Sequence, residues 1–294
     1  MLNSKQCQAF LAVIETGSFD QAGQLLCLTP SAISLRVQAL EKTLGQLLLI
    51  RGRPCTLTQA GQDVLQYLQH SRLLEQNLLH HLTGQTTPDE FFKVHLAVNA
   101  DSLSIWLLPA LQNILVCQSI VTAIKIDDQS LTHTLLETGQ VNVCISIEPE
   151  AMRGCHSIKL GKMRYRMMAS RQFQQKWFKH GITREALRKA PAVLFNEKDY
   201  MHFEVLLTHY GLAKGTFPYH TIPSVSAFFD ALQLGLGYGM IPDLQLATHY
   251  DLIEVMPNVA MDITLYWHHW KQQSKPLQAL TQHIVTEARK ILIQ

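Results

Sequence analysis

The segment Thr29-Pro30-Ser31-Ala32-Ile33-Ser34-Leu35-Arg36-Val37-Gln38 sets hydroxyl, amide and guanidinium groups within a few helical turns. Threonine before proline is a helix start, because the hydroxyl caps free amides and proline suits the first helical position. Ile33, Val37, Leu40 and Leu44 then recur at intervals of three or four and define an apolar face. Ser31, Ser34, Leu35 and Gln38 fall on the opposite side. Set into a major groove, the serine hydroxyls and the helix N-terminus can bond phosphates or base edges. Gln38 can read adenine and Leu35 can touch a thymine methyl. Arg36, Arg51 and Arg53 can neutralise phosphates. The same residues also describe an ordinary capped core helix.

The neighbouring elements favour the groove. Cys7, Phe10, Leu11 and Ile14 define the buried stripe of a first helix that Gly17 can close. Ser18 and Gln21 form a capping box for a second, whose apolar side is Ala22, Leu25 and Leu26. Gly45 ends the third. Two short helices joined by a tight turn on a preceding helix make a helix-turn-helix. Leu47 to Ile50 and Cys55 to Thr58 flank Arg51-Gly52-Arg53-Pro54 as a small two-stranded wing. Thr58 then starts a long helix with a seam of Val64, Leu68, Ser71, Leu74, Leu78 and Leu82. A helix of that length exceeds the needs of so small a domain and is expected to pack against another chain. Thr83-Gly84-Gln85-Thr86-Thr87-Pro88 reads as a linker.

From about residue 91 strands alternate with helices. Expected strands are Val94 to Val98, Ile120 to Ile126, Val141 to Ile147, Ala192 to Phe195, Phe217 to Ile222 and Tyr238 to Ile241. Expected helices are Asp101 to Cys117, Leu131 to Thr138 and Val225 to Leu234, with a break at Glu148-Pro149-Glu150. Such alternation implies parallel sheets flanked by helices, in two halves joined by crossover strands, with a ligand cleft at the carboxyl ends of the strands.

Composition sets bounds on all of this. The chain has 294 residues, of which 47% are hydrophobic and 16% charged, enough for two cores and incompatible with disorder. The net charge of +2 hides its distribution. Residues 28–58 hold four basic groups against Glu41, and the remainder nets −1. Six scattered cysteines without a C-x-x-C pair argue against a disulfide framework or zinc site and suit a reducing cytoplasm. The start lacks the pattern of a signal peptide, and the apolar stretch Leu103 to Cys117 is short for a membrane span, so no membrane association is expected.

The N-terminal pattern resembles that of LysR-type transcriptional regulators. It comprises Phe10, Val13, Glu15-Thr16-Gly17-Ser18-Phe19, Ala22, Leu25, Thr29-Pro30-Ser31-Ala32-Ile33-Ser34, Arg36, Leu40-Glu41, Leu44-Gly45, Leu48, Arg51, Leu57-Thr58 and Ala60-Gly61. In the second half Leu96-Ala97-Val98-Asn99-Ala100-Asp101-Ser102-Leu103, Trp106-Leu107-Leu108-Pro109, Met201-His202, Met240-Ile241-Pro242 and Leu265-Tyr266-Trp267-His268 resemble the ArgP-like branch of that family. Asn196 and Tyr200 differ from it, standing where aspartates are expected.

The resemblance implies an α/β fold class with three parts. Residues 1–58 would form a winged helix-turn-helix and residues 59–88 a dimerisation helix and hinge. Residues 89–294 would form a two-subdomain effector domain of periplasmic-binding-protein type, split as about 91–162 plus 267–294 and about 163–266. It implies a homodimer or tetramer on double-stranded promoter DNA, contact with RNA polymerase, and lysine or arginine as effector, controlling amino-acid export or metabolism. DNA contacts would come from Thr29, Pro30, Ser31, Ser34, Leu35, Arg36, Gln38, Arg51, Arg53 and Thr58. In the effector site Asn99, Ala100 and Ser102 would hold an α-carboxylate at a helix start. Asp127 and Asp128, then Asp101, Glu148 and Asp199, would pair with the cationic side chain, and Ser146, Ser224 and Ser226 would contact the ligand's backbone groups.

Other signals carry less. Gly235-x-Gly237-x-Gly239 follows a helix and lacks nucleotide-loop spacing, and His80-His81 and His268-His269 lack metal-ligand spacing. Cys144 and Cys155 suit a core more than a redox switch. No enzymatic motif stands out, so neither catalysis, metal nor cofactor is expected. The rivals are a regulator of the same family answering another metabolite or a redox signal, and a solute-binding module formed by residues 91–294.

Overall fold

A computed structural model of the chain describes residues 2–68, 71, 75, 91–128, 132–246 and 252–294. The chain divides into two units, one from residues 1–90 with 134–142 and 272–275, and one from residues 91–133, 143–271 and 276–294. In the first, helix α1 (Ser4–Thr16) begins where the Asn3 side-chain oxygen accepts the Lys5 amide at 3.0 Å, and ends at Gly17 with φ 73°. Helix α2 (Phe19–Leu25) starts on Ser18, whose hydroxyl oxygen accepts the Gln21 amide at 3.1 Å. Helix α3 (Pro30–Leu44) starts on Thr29 and closes on Gly45. The caps at Ser18 and Thr29 and the stops at Gly17 and Gly45 thus fall where the sequence signals place them. The α2–α3 turn is too tight for a side chain at Gly23, where a Cβ would meet the Leu28 carbonyl oxygen at 2.7 Å.

Phe10, Val13, Ile33, Val37, Leu40 and Leu48 are fully buried in the core of this unit. Each contributes about 1.5–3 kcal/mol by leaving water. The α1 stripe differs from expectation: Cys7, Ala9, Phe10, Ala12 and Val13 are buried, whereas Leu11 and Ile14 only border the core. Leu25, expected on the apolar side of α2, is 56% exposed. The wing strands β1 (Leu49–Ile50) and β2 (Thr56–Leu57) pair antiparallel and are shorter than expected. Residues 59–68 belong to helix α4. Its Leu65 is buried, and Val64 and Leu68 pack on the same core. This part of the seam contributes to the core of the unit. Leu74, Leu78, Leu82 and the linker 83–88 lie outside the described residues.

The second unit is built on one mixed sheet. Strands β3 (Phe92–Val98), β4 (Ile120–Ile126) and β5 (Val143–Ser146) run parallel in the order β4-β3-β5. Between β3 and β4 lie α5 (Ala100–Ser102), a π-helical turn over Leu103–Leu107, and α6 (Leu108–Cys117). The Leu108 amide donates to the Leu103 carbonyl five residues back, directly ahead of Pro109, which has no N–H to offer. Trp106, Leu107, Ala110 and Leu111 bury one side of this apolar stretch in the core. Helix α7 (Thr132–Glu137) precedes β5, and the long β6 (Cys155–Ser170) follows it.

The remaining elements are α8 (Arg171–Trp177), α9 (Arg184–Lys189), β7 (Ala192–Leu194), α10 (Tyr200–Tyr210), β8 (Tyr219–Thr221), α11 (Val225–Gln233), β9 (Tyr238–Pro242), α12 (Asp243–Leu246), β10 (Leu252–Glu254), β11 (Ala260–Trp270) and α13 (Lys275–Ile291). β7 runs parallel to β8 and β9. The expected crossover between the two parallel sets is made by β6 and β11. These strands pair antiparallel from Ala260 opposite Arg166 to Trp270 opposite Cys155. β11 then pairs antiparallel with β5 and β6 with β9, which joins both parallel sets into one sheet.

One packing detail of the first unit is testable. Glu41 is buried, and its Oε1 accepts the Leu48 and Leu49 amides at 2.9 and 3.3 Å, fixing the entry to the wing. Glu41→Ala leaves two donors without that acceptor and should cost about 2–3 kcal/mol in urea unfolding. Glu41→Gln keeps an acceptor oxygen and should lose less. Equal stability of all three proteins would show that the carboxylate does not hold the wing.

Candidate nucleic-acid face and ligand cleft

On α3 the side chains of Ser31 and Gln38 are exposed, Leu35 is 66% exposed, and Ser34 and Arg36 are half-buried. Pro30 is exposed at the helix start, and Arg51 and Arg53 are exposed on the wing. Together these residues offer hydroxyl, amide, methyl and guanidinium groups. Two expected contact residues already have intramolecular partners. The Thr29 hydroxyl oxygen accepts the Ala32 amide at 3.2 Å and lies 3.0 Å from Ser31 Oγ. The Thr58 hydroxyl donates to the Leu47 carbonyl at 2.6 Å and accepts the Gly61 amide at 3.0 Å, joining wing to α4. Sequence patterning did not single out a role for Phe19, whose ring lies 5.5 Å from the Arg51 guanidinium carbon. That contact steers a wing cation through the ring's negative face.

In the second unit a cavity of about 260 Å³ opens at the carboxyl ends of β3, β4 and β7. Asn99, Ala100 and Asp101 line it after β3, and Ile126, Asp127 and Asp128 at the end of β4. Phe195, Asn196, Lys198, Asp199, Tyr200 and Met201 close it from the segment between β7 and α10. Asp101 Oδ2 accepts the Tyr165 hydroxyl at 2.9 Å. Burial, reinforced by the charge of Asp199, pushes the Asp101 carboxyl up to about 6, against the lowering effect of the Tyr165 bond. Asp199 caps α10 and accepts the Phe195 and His202 amides at 3.2 and 3.5 Å. Its carboxyl is also raised, by burial first and with a contribution from Asp128, while those amide bonds oppose the shift. Among the described lining residues, four aspartates thus share a small space with one cation, Lys198.

Of the expected ligand residues, Asn99, Ala100, Asp101, Asp127, Asp128 and Asp199 come together here. The others do not. Ser102 is fully buried with its hydroxyl 3.7 Å from Met163 Sδ, because the first helical turn points it into the core. Ser146 is buried and its oxygen accepts the Glu148 amide at 2.9 Å, while the Glu148 side chain is exposed outside the cavity lining. Ser224 caps α11 through the Ala227 amide, and it lies with Ser226 on the surface, outside the lining. Residues 195–201 follow directly from applying the strand-end rule to β7. Tyr165 had no sequence signal.

The N-terminal residues 4–62 match the model of the bacterial regulatory helix-turn-helix proteins of the lysR family, and residues 93–289 match the LysR substrate binding domain. The chain belongs to the LysR family. This LysR-type chain is a DNA-binding transcriptional regulator modulated by an effector. It is 38% identical over 289 residues to the HTH-type transcriptional regulator ArgP of Photobacterium profundum, covering 96% of each chain. Among solved structures it is similar to ArgP from Mycobacterium tuberculosis, with TM-score 0.85, 31% identity and coverage of 100% and 99%. It is also similar to full-length LysG from Corynebacterium glutamicum with bound effector Arg, with TM-score 0.77, 28% identity and coverage of 99% and 100%. Asn196 and Tyr200, at positions where aspartates were expected, both line the cavity of this LysR-type regulator.

The raised Asp101 carboxyl has a stability consequence. Its folded value of about 6 exceeds the ordinary 3.8, so the folded state binds more protons between those values and stability falls as pH rises through that window. The loss amounts to about 3 kcal/mol at neutral pH. Asp101→Asn, which keeps an oxygen for Tyr165, should therefore raise the unfolding temperature at pH 7.5 and leave it nearly unchanged at pH 4. An equal effect at both pH values would overturn the assignment.

Proposed function

We propose that this LysR-type regulator senses a cationic amino acid, lysine or arginine, in the cleft at the ends of β3, β4 and β7. The observation that carries the proposal is the charge of the lining. Among the described residues Asp101, Asp127, Asp128 and Asp199 line, with one lysine, a cavity sized for a small molecule. A guanidinium or ammonium group satisfies such a cluster, whereas a second anion would raise its repulsion. Lys198 and the backbone amides at Asn99 to Asp101 suit the ligand's α-carboxylate. The arginine bound to the similar LysG supports this reading.

On the DNA side Ser31, Ser34, Leu35 and Gln38 read the groove, and Arg36, Arg51 and Arg53 hold phosphates, with Pro30 setting the helix entry. Thr29 and Thr58 act through the backbone they cap. The organisation is a DNA-binding domain over 1–58, a dimerisation helix and hinge over 59–88, and an effector domain over 89–294. It operates as a homodimer or tetramer on promoters of amino-acid export or metabolism genes. Effector binding shifts the regulator between states and alters its contact with DNA and RNA polymerase. Only a different affinity in each state can drive such a shift.

Two measurements test these assignments. In gel shifts on duplex DNA selected from random sequence by the wild-type protein, Ser34→Ala with Arg51→Ala should weaken binding at least tenfold. Arg51→Ala alone should also reduce the salt slope by about one. Unchanged affinity at fixed salt sinks the assigned face. In a thermal-shift panel of free amino acids, lysine or arginine should raise the unfolding temperature, and Asp128→Ala should diminish the rise. A rise confined to neutral or acidic amino acids excludes the proposed effector class.

A further inference from the structure

Asp101 differs from the other carboxylates of the cleft in its partner. It stands at the start of α5, and Tyr165, which donates to it at 2.9 Å, is a buried residue of β6, the strand shared by both halves of the sheet. The groups around it come from every wall of the cavity. Tyr165 donates to it from β6 and Asp199 acts on it from the start of α10, while Tyr200 and, at the end of β4, Asp127 and Asp128 line the same cavity. Lys198, the one cation among the described lining residues, has an exposed side chain. The cavity therefore gathers negative charge around Asp101 and offers it a neutral hydroxyl in place of a cation.

We propose that Asp101 is the charge-selecting residue of the cleft, and that a cationic ligand is taken up with loss of the Asp101 proton to solvent. This rests on the effector class proposed above. The carboxylic O–H bond breaks, its electron pair stays on the carboxylate, the proton passes to buffer and nothing is oxidised. The ligand's cation replaces the proton as the group that neutralises the site. A neutral isostere of arginine such as citrulline can fill the same space but cannot make that exchange, so it is rejected on charge rather than shape. Tyr165 is a positioning residue. Its hydroxyl favours the ionised form of Asp101 and sets the pH at which exchange occurs, in opposition to burial.

The test is calorimetry of arginine, lysine and citrulline on the full chain at pH 5, 6 and 7.5, in two buffers of different ionisation enthalpy. Arginine or lysine should release about half a proton per site at pH 6 and nearly none at pH 7.5, and bind about tenfold more weakly at pH 5 than at pH 7.5. Tyr165→Phe should keep binding at pH 7.5 but move the midpoint of the pH dependence upward. Asp101→Asn should abolish proton release and cut the preference for arginine over citrulline at least tenfold. Binding of arginine or lysine with equal heats in both buffers and equal affinity at pH 5 and 7.5 overturns the inference and leaves the effector class standing. Absence of binding by both amino acids at pH 7.5 sinks the effector class and the inference together.

Discussion

The antiparallel ladder between β6 and β11 decides where every other part of the second unit can lie. β11 pairs with β6 over its whole length and with β5 along its other edge at Tyr266–His269, and β6 pairs with β9 at Tyr165–Ala169. The register shifts between Leu265 and Tyr266, next to Gly161, which adopts φ 142°. A Cβ at Gly161 would meet Leu292 Cβ at 2.6 Å, so the C-terminal segment packs against the irregular point of the ladder. Lys162 and Ile293 exchange backbone hydrogen bonds at 2.6 and 3.1 Å, and Trp267 donates from β11 to Thr281 of α13 at 3.1 Å. The ladder is thereby held from behind at the place where the sheet passes from one half to the other. The carboxyl ends of β3, β4 and β7 are brought round one cavity as a result.

Tyr165 links that architecture to the chemistry. It belongs to the ladder by its backbone, pairing with Met261 and Pro242, and to the cleft by its hydroxyl. Its own acidity is suppressed by burial and by the neighbouring carboxylates, so it stays a donor. A protein rarely gathers several carboxylates round one small cavity, since each loses hydration and repels the rest. Natural chains accept such a cost at functional sites. The wing of the first unit shows another solution, in which one oxygen of the buried Glu41 carboxylate accepts two backbone amides.

What could be read in the residues follows how local the physics is. The helix starts on Ser18 and Thr29 and the stops at Gly17 and Gly45 depend on a few adjacent side chains, and they were legible. The apolar face of α3 was legible too, because Ile33, Val37 and Leu40 repeat over several turns. Leu11 against Ala12 in α1 was not, since which side of a wide apolar stripe meets the core depends on α3. The β6 and β11 strands escaped for the same reason. β6 mixes Lys, Arg and Met along an alternating stretch, and only pairing across nearly a hundred positions, as between Arg164 and Asp262, makes the two segments strands. In the cleft, residues that follow a strand directly were found. Ser102, Ser146 and Ser224 also sit at strand ends, yet one turn of helix or one backbone amide redirects each hydroxyl.

The split of the acidic residues between the two halves gives the proposed switch a physical basis. Asp101, Asp127 and Asp128 come from the β3–β4 side, and Asp199 comes from the α10 side. Asp199 raises Asp101, and Asp128 raises Asp199, so the repulsion acts across the cavity rather than within one wall. Bringing the walls together without a cation strengthens that repulsion, and placing a cation between them reverses its sign. A ligand with this charge therefore binds the closed arrangement better than the open one, which is the differential affinity a two-state regulator requires. A neutral ligand of equal size gains contacts in both arrangements but leaves the repulsion standing. The charge of the effector, more than its volume, is what the proposed cleft converts into a change of state.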